Sequence, residues 1–267
     1  MQIVIPAGFA PAILEGSNST TSLPGESGKV KSIMPADEWY EITEEQINKG
    51  IVVVNNSITY DGGAETGTVP DYEEYVWVPI PDYEDFARVD WGVGIQGSQP
   101  VNEPVTNMYN NLKYSVNLNK GFYIGRYEAS NSNGKPVSKR DQDVGVFMYT
   151  AVLGNTNVNS IPNSHMVYGI EWDSTLNWLI GNATIGTATE GTTKTMTRTD
   201  VDTDSTSWGN YTASVGDATI NSGELRTTGY SEYWKANNIY DFAGNAVEIG
   251  SRRTICYDRN KRWWTIL

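Results

Sequence analysis

Asn237-Asn-Ile-Tyr-Asp-Phe-Ala-Gly-Asn-Ala-Val-Glu-Ile249 is the stretch that decides the fold. An apolar pair leads into a turn at Gly244-Asn245, and an apolar alternation with one carboxylate, Glu248, follows the turn. Glycine adopts a positive φ without steric cost, and asparagine tolerates it. The pattern therefore predicts a tight turn followed by a strand. A buried Glu248 would need donors or a cation as partner, and the alternative is an ordinary turn with an edge-facing glutamate.

The run over residues 240–249 resembles the YDMAGNVWEW signature of the formylglycine-generating-enzyme (sulfatase-modifying factor) superfamily, with Val247 and Ile249 at the two Trp positions. That resemblance implies an α+β domain of formylglycine-generating-enzyme/C-type-lectin type, with short strands, two modest helices and long loops. It also implies a structural Ca²⁺ site. The chemistry fits, since calcium binds six to eight oxygens. The ligands carried over are Asn245, the carbonyl of Ala246, Glu248 and, as an addition, Asp241.

The composition supports a loop-rich domain that does not bind nucleic acid. Of 267 residues, 19% are charged, and there are 26 Gly, 16 Tyr and 9 Trp, which is typical of β or α+β folds. The net charge of −13 repels phosphate backbones, so we expect no nucleic-acid partner. Cys256 and His165 are each the sole residue of their type, which excludes an intrachain disulfide, a Cys-based metal cluster and His-rich metal sites.

Targeting signals are missing from the sequence. No apolar run approaches the about 20 residues that span a membrane. The first residues, Met-Gln-Ile-Val-Ile-Pro, lack the basic start and long apolar region of a signal peptide. We therefore expect no membrane insertion. The expected location is the cytoplasm, or a virion or cell surface as part of an assembly.

Periodicity and turn residues predict the order of the elements. Residues 15–29, 82–115 and 183–229 read as irregular, and 144–153 could supply only a poor helix because it contains Gly145 and β-branched residues. The predicted elements are a strand over 3–9 ending at a turn, a capped helical turn at 43–46 stopped by Gly50, strands over 51–54 and 75–79, a strand within 120–130, and a helix over 166–180 ended by Gly181-Asn182.

The order of three segments, IPAGF, GIVVV and EYVWVPIP, resembles the entry region of a bacterial and phage branch of the same superfamily. We therefore divide the chain into an N-terminal strand and loop region, 1–70, and a formylglycine-generating-enzyme-like domain, 71–267. Within the strand at 120–130 we interpret Arg126 and Glu128 as a structural pair. Trp172 and Trp178 have the spacing of core residues on a helix.

The C-terminal residues differ from the family pattern. Related domains continue with an RGGSW-like strand and a GFR strand, whereas residues 251–264 form a basic run. In another frame, codons permitted by residues 261–264 can read Arg-Gly-Gly-Gly. Our hypothesis is that a frame change near Ile249 has replaced the final strands, which would leave the domain incomplete at its C-terminus.

The predicted function is ligand recognition without catalysis. Enzymes of the family bind copper through a cysteine pair, and Cys256 has no partner thiol, so we expect no copper. We interpret the chain as a binding or adhesion module of a phage or bacterial surface assembly that takes a carbohydrate or protein ligand. Aromatic loop residues suit adaptable binding surfaces. The candidates for ligand contact are Trp208, Tyr211, Tyr230, Tyr233 and Trp234.

Three alternatives stay open at this stage. The first is a formylglycine-generating oxidase, which the missing cysteine pair disfavours. The second is a structural subunit whose aromatic residues serve packing, and such a subunit would form an obligate oligomer. The third is the variable protein of a diversity-generating retroelement, which also uses a lectin-type fold.

Overall fold

The computed structural model describes most of the chain outside the longest loops and the C-terminal residues. The described residues are 3–15, 28–55, 73–89, 91, 107–145, 161, 164–187, 192–202, 207–211 and 224–245. These ranges contain helices and antiparallel strands, so the chain is of the α+β class.

A five-stranded antiparallel sheet in the order β2-β1-β3-β4-β5 forms the centre of the molecule. Its β-branched strand β3 is almost completely buried, which the run of three valines predicts. Strands from both sides of residue 70 pair in this one sheet. The five strands are β1 Phe9–Leu14, β2 Val30–Ile33, β3 Val52–Asn55, β4 Glu74–Pro79 and β5 Gly121–Gly125.

The first strand lies later in the sequence than we predicted. The strand expected over 3–9 is wrong in its position, because the chain turns before it pairs. Gly8 has φ 83° and the Phe9 N–H donates to the Pro6 carbonyl over 3.0 Å. Pairing with β3 then starts at Phe9, opposite Asn55.

Within the described ranges, three two-stranded hairpins lie outside the central sheet. They pair β6 Ser130–Ser132 with β7 Lys135–Val137, β8 Thr184–Gly186 with β9 Thr193–Thr195, and β10 Lys235–Ala236 with β11 Ile239–Tyr240.

The predicted helical turn at 43–46 is confirmed as α1, Glu44–Asn48. The capping box is complete: the Gln46 N–H donates to Thr43 Oγ1 over 3.2 Å, and the Thr43 N–H donates to Gln46 Oε1 over 2.8 Å. Gly50 follows at φ 87°, a conformation that ends the helical turn and leads into β3.

Helix α2, Asn107–Asn119, lies in a region that we predicted to be irregular, so that prediction is wrong there. Among its described side chains only Val116 is buried, and Tyr114 and Leu118 are exposed. The sequence therefore carries a weak 3.6-residue pattern. The helix packs beside β5, and this tertiary contact overrides the weak local signal.

The helix predicted over 166–180 is confirmed as α3, Gly169–Leu179. Trp178 is buried, and the partly buried Trp172 stacks on Phe242 at 4.1 Å, so both tryptophans pack against the core as predicted. Gly181, at φ 79°, follows the helix end. The poor helix predicted over 144–153 falls almost entirely outside the described residues.

The prediction that residues 183–229 form only an irregular surface loop is wrong. It contains β8, β9 and a short helix α4, Thr199–Asp202. Ile185 and Met196 are fully buried there, because short threonine-rich strands bring isolated apolar residues against the core. No helix in the described ranges is both long and apolar enough to cross a membrane.

Candidate functional site

The turn at 241–245, within the stretch quoted at the outset, follows the hairpin of β10 and β11, whose residues are all buried. Three of its residues have a positive φ: Asp241 at 58°, Gly244 at 84° and Asn245 at 61°. The predicted backbone conformation of Gly244-Asn245 is therefore confirmed. These left-handed residues fold the chain back, so the side chains of Asp241 and Asn245 both point into the protein, where both are buried.

The Asn245 amide connects a buried carboxylate to a second chain segment. Its Nδ2 donates to Glu128 Oε2 over 2.5 Å, and Glu128 is fully buried. Its Oδ1 accepts from the Arg226 backbone N–H at 2.8 Å and from Asn210 Nδ2 at 3.3 Å. Both ends of the amide are therefore engaged.

Asp241 holds the same segment three residues further on. Its Oδ2 accepts the Gly229 N–H over 2.6 Å. Its Oδ1 accepts no hydrogen bond from any residue in the described ranges. Burial raises the pKa of Asp241 to about 7, although the Gly229 bond and the charge of Arg140 both act to lower it.

Residues 224–230, which we call the clamped segment, are held from a second side as well. The Glu224 carbonyl accepts from Asn210 Nδ2 over 2.8 Å. Thr228 exchanges backbone bonds with the turn at 139–142: its N–H donates to the Gln142 carbonyl over 2.9 Å, and its carbonyl accepts the Asp141 N–H over 2.9 Å. The segment pairs with no strand of the described ranges, but these bonds fix it along its length.

The clamped segment displays apolar and charged side chains at the surface. Leu225 is 59% and Tyr230 41% exposed. The Tyr230 ring lies 5.6 Å from that of Trp234, and the Arg226 guanidinium lies 5.7 Å from the centre of the Tyr230 ring. Arg226 also pairs with Glu224 over 2.8 Å. A half-exposed tyrosine is thus supported from below by a buried tryptophan and flanked by an ion pair.

The predicted ligand-contact residues occupy different environments. Trp208 and Trp234 are each 2% exposed, and Trp208 Nε1 donates to the Asp200 carbonyl over 3.1 Å. These two rings therefore pack in the interior. Tyr230 is at the surface and Tyr233 is partly buried, while the side chain of Tyr211 lies outside the described residues.

The predicted calcium ligands are brought together only in part within the described chain. Asp241 and Asn245 lie in the same turn, whereas Ala246 and Glu248 lie outside the described residues. The described ranges contain no group of three or more His, Cys, Asp or Glu side chains arranged to hold a metal.

Arg126 and Glu128, which we interpreted as a structural pair, are both fully buried and bind different partners. Arg126 Nη1 donates to Glu74 Oε2 over 2.5 Å, while Glu128 binds Asn245. Strand β5 ends at Gly125, so the spacing that would place the two side chains on one strand face no longer applies.

A buried ionic cluster that sequence reasoning missed surrounds Tyr240. Glu232 accepts hydrogen bonds from three side chains: Arg140 Nη2 at 2.6 Å, Lys235 Nζ at 2.9 Å and the Tyr240 hydroxyl at 2.5 Å. The only local signal was the three-residue spacing of Glu232 and Lys235. Tyr240 lies eight residues from Glu232 in the sequence, and Arg140 lies 92 residues away, a separation that no local pattern indicates.

Burial and charge set the pKa values in this cluster. Burial acts to raise the pKa of Glu232, but the charges of Lys235 and Arg140 and the bonds from Tyr240 and Lys235 lower it to about 2. Burial lowers the pKa of Lys235 to about 8 despite the Glu232 charge. Burial also raises the pKa of Tyr240 above its ordinary range. The cluster is thus a paired structural network rather than a nucleophile presented to solvent.

Comparison with family models, with curated proteins and with solved structures found no match to this chain.

Proposed function

We propose that the chain is a non-catalytic ligand-recognition module of a phage or bacterial surface assembly, which binds carbohydrate or protein through the clamped segment. The observation that carries the proposal is the fixing of this segment. The backbone N–H groups of Arg226, Thr228 and Gly229 are all bonded, two of them to buried side chains of the turn at 241–245. A surface fixed before binding loses less conformational entropy when a ligand arrives.

The side chains on the clamped segment suit a contact surface. Tyrosine and arginine supply much of the binding energy at interfaces, because they offer large contact areas together with polar groups. Tyr230 rests on Trp234, so its ring is already ordered. The exposed Leu225 adds apolar area beside the Glu224–Arg226 pair.

The proposed fold is the formylglycine-generating-enzyme/C-type-lectin type. Its support is the sequence signature at 240–249 together with the positive φ angles at Gly244 and Asn245. The antiparallel sheet flanked by helices is compatible with it.

The proposal includes a structural Ca²⁺ ion at the turn, with Asp241, Asn245, Ala246 and Glu248 as ligands. Oδ1 of buried Asp241 supports it, because it accepts no hydrogen bond from the described residues, and such a buried carboxylate oxygen suits a cation. The Asn245 Oδ1 already accepts two hydrogen bonds, so a cation there would replace the longer one, from Asn210 at 3.3 Å.

Thermal unfolding with Ca²⁺ and with chelator tests the ion separately from the function. We expect Ca²⁺ to raise the Tm, because a ligand that binds only the folded state stabilises it. Equal Tm values in both conditions would contradict the proposed Ca²⁺ ion without bearing on the proposed recognition function.

Binding arrays of glycans and of surface proteins test the function itself. We expect the wild-type chain to bind at least one ligand on the arrays, and Tyr230→Ala to bind that ligand at least tenfold more weakly. Tyr114→Ala is the matched control, since Tyr114 is 71% exposed on α2. If Tyr230→Ala and Tyr114→Ala bind every retained ligand as the wild type does, the clamped segment is not the binding surface.

A further inference from the structure

In the interior, side chains from distant parts of the chain bind both main-chain polar groups of Gly28. Its N–H donates to Glu232 Oε2 over 3.0 Å, and its carbonyl accepts from Arg126 Nη2 over 2.7 Å. A Cβ at this position would overlap the Tyr240 hydroxyl oxygen and lie 3.1 Å from Glu232 Oε2. The three side chains therefore contact both polar groups of one residue and exclude any side chain on it.

The three side chains are held in place by bonds that do not involve Gly28. Arg126 Nε donates to the Asn238 carbonyl over 3.1 Å, and its Nη1 binds Glu74. Glu232 is fixed by Arg140, Lys235 and Tyr240, as described above. The positions of these side chains therefore do not depend on Gly28, whose main chain occupies the space between them.

The residues that follow Gly28 lie at the edge of the central sheet. Among the described strands, β2 pairs only with β1, with Leu14 opposite Val30 and Ala12 opposite Ile33. An edge strand is held by main-chain hydrogen bonds on one side, which is how proteins bind extended peptides by strand addition. Residues 28–33 therefore run in one extended segment from the glycine site along the edge of β1.

We propose that Arg126, Glu232 and Tyr240 form a main-chain recognition site for a glycine that precedes an extended segment, and that residues 28–33 are its occupant in this chain. The β1 edge supplies main-chain hydrogen bonds along the peptide. The site supplies selectivity, because it admits no Cβ. This inference is independent of the surface on the clamped segment.

The test restores the occupant in trans. In Gly28→Val the side chain cannot enter beside Tyr240, so the resident segment leaves the site. An acetylated peptide of residues 28–34, Gly-Lys-Val-Lys-Ser-Ile-Met, is then titrated by fluorescence anisotropy. We expect binding to Gly28→Val that is at least tenfold tighter than that of the same peptide with Ala at the first position, and no binding to the wild type. Equal binding of the two peptides, or no binding to a variant that keeps native circular dichroism, would overturn the proposal.

A second measurement covers the case in which Gly28→Val fails to fold. Amide exchange of Gly28 is followed in the wild type and in Glu232→Gln, which keeps the shape of the acceptor but removes its charge. We expect a protected amide in the wild type and exchange at least tenfold faster in the variant. A Gly28 amide that exchanges equally fast in both proteins would overturn the proposal.

Discussion

At the scale of single residues, Asn245 connects the interior to the clamped segment. Its amide joins the buried Glu128 carboxylate to the Arg226 backbone while adopting a positive φ. Asparagine suits this position because it tolerates the left-handed region and carries both a donor and an acceptor. Leaving a buried carboxylate without its donor costs more free energy than the bond contributes.

The first prediction concerns Asn245→Gly, which keeps the backbone conformation free of strain. Loss of the amide removes one donor to the buried Glu128 carboxylate and the acceptor of the Arg226 N–H, so we expect a loss of about 2–4 kcal/mol in unfolding free energy. Urea denaturation measures it. Asn133→Gly is the matched control, because Asn133 has φ 54° in an exposed turn. A loss at Asn245 no larger than at Asn133 would contradict the role of the side chain.

The second prediction concerns pH and Glu232. Its pKa is lowered from an ordinary 4.5 to about 2 in the folded chain, so it contributes stability above pH 4.5 that is lost as the pH falls through 2. The full contribution is about 3 kcal/mol. Denaturant titrations between pH 5 and 2 should show a shallower fall in stability for Glu232→Gln than for the wild type, and parallel curves would contradict the assignment.

At the scale of elements, local signals predicted helices α1 and α3 and missed α2 and α4. The capping box of α1 is encoded within four residues, Thr43 to Gln46, and was readable directly. Helix α3 has a strong apolar pattern. Helix α2 lacks a strong apolar pattern, because it buries Val116 and exposes Tyr114 and Leu118. Its formation therefore depends on packing that the local sequence does not show.

The third prediction concerns Gly50, where α1, β3 and α3 meet. A Cβ there would lie 2.7 Å from Trp178 Cη2 and 3.0 Å from Val76 Cγ1, at a φ of 87°. Gly50→Ala should therefore lose about 2–4 kcal/mol, from overpacking added to backbone strain. Gly134→Ala, at φ 80° with no atom within 4 Å of the added Cβ, should lose only about 1–2 kcal/mol. Equal losses in thermal or urea unfolding would contradict the packing of Trp178 against Gly50.

At the scale of the whole molecule, the sequence predicted the turn but not what the turn holds. The positive φ at Gly244-Asn245 follows from residue type alone. The partners of Asn245 lie 19, 35 and 117 residues away, and no local pattern indicates such distances. The same limit applies to Gly28 and Glu232, which are 204 residues apart. Trp208 and Trp234 were expected at a ligand surface, whereas their large apolar rings are buried in the core.

Amide hydrogen exchange along the clamped segment tests most directly whether the turn at 241–245 fixes the proposed binding surface. In the wild type we expect strong protection of the Arg226, Thr228 and Gly229 amides, whose acceptors are Asn245 Oδ1, the Gln142 carbonyl and Asp241 Oδ2. Asn245→Gly should lose that protection at Arg226 first, while Asn133→Gly should keep it. Exchange of all three amides at unprotected rates in the wild type would show that the turn does not fix the clamped segment. It would therefore contradict a preformed recognition surface.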